Sequence, residues 1–187
     1  MKTKQRKIKF LEQKEIEQII TGIKPVGERN IRDRALIEVL FSTGLRISEC
    51  LNLPDAPFMK EQTETLELSI CGKGGYDRTV YFSEKCLKAI QKYLEKRGIN
   101  NDKLLLFDLT PRAVQIMVKK RGLAAGFEGV HPHLFRHSFA CNMLKNGVNL
   151  YYIKEFCGHR SLNSTQQYLH ATNKELLDMH KKIYGKE

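Results

Sequence analysis

With 187 residues, the chain holds one domain of moderate size or two very small ones. Hydrophobic residues at 41% and charged residues at 28% suit a chain that buries a core, which excludes a disordered tail, and no apolar run approaches the ~20 residues that span a bilayer. Lys and Arg number 32 against 21 Asp and Glu, a net charge of +11, and such an excess favours a polyanionic partner, nucleic acid first. The basic start, Met1 to Lys7, lacks the apolar stretch of a secretory signal. The five cysteines (Cys50, Cys71, Cys86, Cys141, Cys157) show no C-x-x-C pair. They predict reduced thiols in a cytoplasmic protein, with neither a disulfide framework nor a zinc site.

Residues 1–9 read as a basic, flexible, extended leader. Leu11, Ile16, Ile19, Ile20 and Ile23 form a helical stripe that Gly22, Pro25 and Gly27 end. A second helix is predicted from Arg29 to Thr43, with Ile31, Ala35, Leu36, Val39 and Leu40 on one face and Gly44 as its cap. A helical turn at Ile47–Leu51 follows, and Pro54 and Pro57 break it. Alternation in Thr65–Cys71 and Arg78–Phe82, around Gly72-Lys-Gly-Gly-Tyr-Asp, predicts a β-hairpin with a glycine-rich tip. Further helices are predicted after the cap Ser83 as far as Gly98, after Thr110-Pro111 as far as Gly122, from His133 to Lys145, and from the cap Asn149 to Cys157. Two more are expected near Ser164–Leu169 and over Lys174–Tyr184. The fold class is mainly α with a small antiparallel β-hairpin sheet.

Four stretches are unlike ordinary packing: Thr43-Gly-Leu-Arg46-Ile-Ser-Glu49, Gly72-Lys73-Gly74, His131-Pro-His133-Leu-Phe-Arg136-His137, and Gly158-His159 with Tyr168 nine residues later. Alone, Arg46 is a surface arginine and Lys73 a solvated one. His133 and His137 stand at i,i+4, but no carboxylate accompanies them as in H-E-x-x-H, so phosphate binding ranks above a metal pair. Taken together, the stretches supply the parts for attack of a hydroxyl on a phosphodiester. Two arginines can clamp the non-bridging oxygens of a phosphorus that gains negative charge. A tyrosine with a pKa near 10 is only ~0.1% ionised at pH 7, so it needs neighbouring cations and a histidine to take its proton. A lysine can protonate the departing oxygen. Side chains then supply the charge a metal would, so neither metal nor cofactor is expected.

TGLRISE (43–49), GKGGYDR (72–78), HPHLFRHSFA (131–140) and GHRSLNSTQQYLH (158–170), in this order, resemble the catalytic domain of the tyrosine recombinases, or phage integrase family, including its Xer-type members. The resemblance runs from about residue 10 to the C-terminus; Phe135 stands where leucine is more usual. It implies that Arg46 and Arg136 bind the scissile phosphate, His159 hydrogen-bonds it, His133 assists proton transfer, Lys73 is the general acid and Tyr168 is the nucleophile of a 3′-phosphotyrosyl link. Glu49 looks structural. By the same resemblance the 187 residues are expected to form one catalytic domain lacking the family's separate helical core-binding domain. The expected partners are double-stranded DNA and further copies of the chain, a homo-tetramer on DNA and mostly a monomer when free, with no membrane. The alternatives are DNA relaxation of the type IB topoisomerase kind and a non-catalytic DNA-binding module.

Overall fold

A computed structural model describes residues 6–7, 10–59, 65–71, 77–98, 105–159 and 181. The elements in chain order are β1 (Arg6–Lys7), α1 (Gln13–Thr21), α2 (Glu28–Thr43), α3 (Ile47–Leu51), a 3-10 turn (Ala56–Phe58), β2 (Leu66–Cys71), β3 (Asp77–Phe82), α4 (Glu84–Arg97), α5 (Pro111–Ala124), β4 (Phe127–Glu128), α6 (Pro132–Lys145) and α7 (Leu150–Cys157). The helices expected at 164–169 and 174–184 lie outside the described residues, apart from Lys181.

The predicted hairpin forms: β2 and β3 are antiparallel, with Leu66 opposite Phe82 and Cys71 opposite Asp77. A second pairing, parallel, sets Arg6 beside Phe127 and Lys7 beside Glu128. The leader is therefore not free along its whole length, because its extended backbone finds an open ladder partner in β4. Just after it, Leu11 is tied to α6: its N–H donates to Ser138 Oγ (2.8 Å) and its carbonyl accepts from Asn142 Nδ2 (3.0 Å).

Helix α2 runs through the centre of the core. The sequence stripe predicts one buried face, yet Ile37, Asp33 and Glu38 are buried as well as Ala35, Leu36, Val39 and Leu40. Beyond its exposed first turn, Glu28 and Arg29, the helix is packed by α1, α4, α6 and β3, so it keeps no continuous polar solvent face. Its buried acids are matched from neighbouring helices: Arg121 of α5 donates to Asp33 (Nη2, 2.6 Å), and Lys85 of α4 lies 3.6 Å from Glu38. Fully burying a Leu or Ile side chain stabilises by about 1.5–3 kcal/mol, so this helix anchors the domain. A smaller cluster of Phe139, Ala140, Cys141, Ile153 and Cys157 joins α6 to α7.

Caps fall where the sequence places them at Ser83, Thr110 and Asn149, each of whose side chains accepts from a first-turn N–H. Gly122 does not stop α5, which continues to Ala124. A Cβ there would come within 2.5 Å of Val130, so this glycine is a close-packing position inside the helix. Helix α6 begins one residue earlier than expected, with Pro132 at its first position and His131 capping it through Nδ1 (3.2 Å from Leu134 N).

Candidate active site

Three arginines converge on the C-terminal end of α7. That helix stops at Gly158, a left-handed residue at φ 57°, and its last carbonyls have no partner within the helix. Arg78 Nε, from β3, donates to the Phe156 carbonyl (3.2 Å). Arg136 Nη2, from α6, donates to the Cys157 carbonyl. Arg46 Nη2, from the start of α3, donates to the Gly158 carbonyl (3.2 Å). Three successive carbonyls are thus taken by guanidiniums from three other elements, and His159 follows directly, its N–H donating to the Lys154 carbonyl (3.0 Å).

Each arginine is placed by local chemistry. Gly44 ends α2 in the left-handed region and turns the chain into α3. Arg46 precedes the first residue of α3; its N–H donates to Glu49 Oε2 (2.7 Å) and its Nη1 to Glu49 Oε1 (2.8 Å). The Arg46 side chain remains 32% exposed, so it faces solvent from the rim of the cluster. Arg136 is 1% exposed, and its second bond, from Nη1, goes to the Gly44 carbonyl (2.7 Å). Its two partners named here are both main-chain carbonyls. Arg78 closes on Glu49 with a two-pronged pair, Nη1 to Oε1 (3.0 Å) and Nη2 to Oε2 (2.8 Å). Glu49 is the one acid bonded to these arginines among the described residues, so three cations share one anion.

Burial and this charge together shift Glu49, His133, Cys157 and His159. Burial alone would raise the Glu49 carboxyl, but hydrogen bonds from Arg78 and Arg46 overcome it and hold the group at about 2. Burial, then the charge of Arg136 and Arg46, pushes the His159 imidazole down to about 4. His133, one turn before Arg136 on α6, is also lowered, by partial desolvation and then by Arg136. Burial likewise raises the Cys157 thiol, which stays protonated beside Arg136. At neutral pH the site therefore presents guanidiniums and two uncharged imidazoles, each able to donate one hydrogen bond and accept another. Among the described residues, Arg46 and Arg136 each use two of their five side-chain N–H donors. Among the described residues no group of three or more His, Cys, Asp or Glu is placed to hold a metal ion.

Of the six residues singled out from the sequence, Arg46, His133, Arg136 and His159 lie in or beside this cluster. Lys73 and Tyr168 fall outside the described residues. Glu49, read as bracing a helix, braces two arginines instead. Arg78 was missed. Its signal was present: in β3 the buried register is Arg78, Val80, Phe82, and an arginine on the core side of an amphipathic strand requires a buried partner.

The Phage integrase family model matches residues 9–175, and the chain belongs to that family. Tyrosine recombinase XerC of Leptospira interrogans serogroup Icterohaemorrhagiae serovar copenhageni is 36% identical over 162 residues, covering 82% of this chain and 51% of the relative. Among solved structures, XerA recombinase superimposes with a TM-score of 0.75 at 29% identity, covering 97% of this chain and 67% of that one. XerH site-specific recombinase, in a post-cleavage complex with its palindromic difH substrate, gives 0.77 at 26% identity, covering 95% of this chain and 53% of that one. The chain thus spans about half the length of the XerC relative. Mainly helical architecture with a small antiparallel sheet is the fold of this family. No helix among the described residues is long and apolar enough to cross a membrane.

Proposed function

We propose that the chain carries the strand-cleaving and strand-joining centre of a site-specific DNA recombinase. The observation that supports this best is the under-neutralised arginine cluster, with Arg46 and Arg136 on adjacent carbonyls beside the neutral His159. In this reading a DNA phosphate enters against Arg46 and Arg136, whose remaining N–H groups bind its non-bridging oxygens as charge accumulates there. His159 donates a further hydrogen bond. Tyr168 attacks the phosphorus and passes its proton to His133, whose lowered pKa leaves it free to accept one. The bond from phosphorus to the 5′ oxygen breaks, and Lys73 protonates that oxygen. The phosphotyrosyl ester conserves the energy of the broken bond, so the reverse steps rejoin strands without a nucleotide cofactor. The family membership, the net charge of +11 and the XerH relative solved with its DNA substrate support DNA as partner. The same reading has the chain monomeric when free and tetrameric on DNA.

The test is covalent capture from a pool of nicked random-sequence duplexes, read on a denaturing gel. The wild-type chain should give a protein–DNA adduct. Tyr168→Phe should give none while still retarding the same DNA on a native gel, since only the nucleophilic oxygen is removed. An adduct from the Tyr168→Phe protein, or none from the wild type on any captured sequence, overturns the reading.

A further inference from the structure

Arg78 lies in the same motif block as Lys73, yet the proposed chemistry gives Arg78 itself no task, and it is buried at 8% exposure. Three observations meet on it. Its guanidinium holds both oxygens of Glu49, the carboxylate that fixes both the backbone and the side chain of Arg46. Its Nε holds the Phe156 carbonyl, two residues before Gly158. The flat side of its side chain rests against Gly158, where a Cβ would come within 2.8 Å of Nη1 and 2.9 Å of Cδ. It also lies second in β3, directly after the 72–76 segment that carries Lys73, and pairs there with Ile70.

We propose that Arg78 is a positioning residue for strand cleavage: through Glu49 it sets the direction of Arg46, and through Phe156 and Gly158 it sets the turn that presents His159. Arg78 touches no reacting atom in this scheme. A lysine could keep the charge but not the planar fork, which needs one donor pair for Glu49 and a third N–H for Phe156. Displacing catalytic groups by about an ångström can cost about 10²-fold in rate, so the fork is worth far more to the reaction than the charge alone. The inference rests on the proposed recombinase chemistry for its rate effect but not for its structural effect, and the test separates the two.

Arg78→Lys and Arg78→Gln are made in the full chain. The first readout needs no activity: the heteronuclear NOE of the Arg46 Nε–H group, with Arg97 Nε–H as an internal control far from the site. The Arg46 value should fall towards that of a mobile side chain while the Arg97 value stays. The second readout is adduct formation, expected to drop by about 10²-fold in Arg78→Lys with affinity for uncleaved DNA nearly unchanged. The third repeats Arg78→Lys on an Arg46→Ala background, where the substitution should cost far less, because one of the two groups it positions is gone. An unchanged Arg46 NOE, the full loss on the Arg46→Ala background, or the loss of Arg97 order in both variants would overturn the proposal, the last by making Arg78 a residue of global stability. Absence of an adduct from the wild type would sink the recombinase reading and leave the NOE to decide the positioning role.

Discussion

Arg97 and Arg136 are both buried arginines, and they are held in opposite ways. Arg97 faces Asp55 at 2.7 Å with the side chains 3% and 5% exposed, one charge against one. Its remaining bonds go to the carbonyls of Leu105 and Leu106, and its guanidinium stands 5.8 Å from the Tyr93 ring. This pair fastens the loop after α3 to the end of α4 and is electrically closed. Around Arg136 the count differs: among the described residues three guanidiniums gather about one carboxylate, Glu49, which binds Arg46 and Arg78, while Arg136 is held by carbonyls. A balanced pair has no net charge left to offer a ligand, whereas a surplus held rigidly by neutral dipoles is a standing demand for an anion. Burial and ion pairing alone therefore do not mark a functional arginine; the local charge balance does.

The widest separation between the two regions should come from paired substitutions. Arg136→Ala should lower adduct formation on the order of 10²–10³-fold, as loss of a charge-stabilising donor does, with DNA retardation retained. Arg97→Met should destabilise the fold by about 3–5 kcal/mol, because it strands a buried carboxylate, yet leave the cleavage rate of the folded fraction near that of the wild type. Urea titration and single-turnover cleavage of both variants check this, and equal loss of cleavage in the two would erase the distinction.

Gly158→Ala should act on a smaller scale. A residue with a Cβ in the left-handed region costs about 1–2 kcal/mol, and here that Cβ would also press on Arg78. Stability should fall by roughly that amount, and cleavage should fall further than stability accounts for, since Arg78 and the His159 turn shift together. Thermal melts beside cleavage rates decide whether the second loss exists.

These effects depend on features that the sequence showed unequally. The hairpin, the caps at Ser83, Thr110 and Asn149, and the four motif blocks were readable because each is written in a few adjacent residues. The burial of α2 on more than one face was not, because Asp33 and Glu38 look like a solvent face until Arg121 and Lys85 arrive from other helices. Gly122 looked like a helix stop because glycine usually is one, and only the approach of Val130 shows its other use. The Arg78–Glu49 link spans 29 residues and no local pattern encodes it. Four of the six expected site residues lie together, yet what holds them came from the fold.

The smallest predicted effect is in acid stability, and its sign follows from burial of the histidines, reinforced at His159 and His133 by the neighbouring arginines. His159 sits at about 4 in the fold against an ordinary 6.5, so the unfolded chain takes up its proton first as the pH falls. Its contribution is complete above about 6.5 and is lost progressively down to about 4, with the lowered His131 and His133 adding in the same direction. Glu49, held at about 2, has its own lower window: its contribution is present above 4.5 and is lost as the pH falls towards about 2. Melting temperatures should therefore decline between pH 6.5 and 4, and His159→Gln should flatten part of that decline. An identical slope in the variant would show that His159 is not its source.

The three carbonyls at the end of α7 also bear on how the site comes into being. An eight-residue helix is too short to persist alone in water, and here its terminus is the common anchor of Arg46, Arg78 and Arg136. Fraying of that one turn breaks one bond of each guanidinium at once, across chain separations of 112, 78 and 21 residues, and leaves Arg46 and Arg78 on Glu49 and Arg136 on the Gly44 carbonyl. The three side chains are thus loosened together, and hydrogen-exchange protection of the amides of Gly158 and His159 should track cleavage competence across any series of conditions or variants.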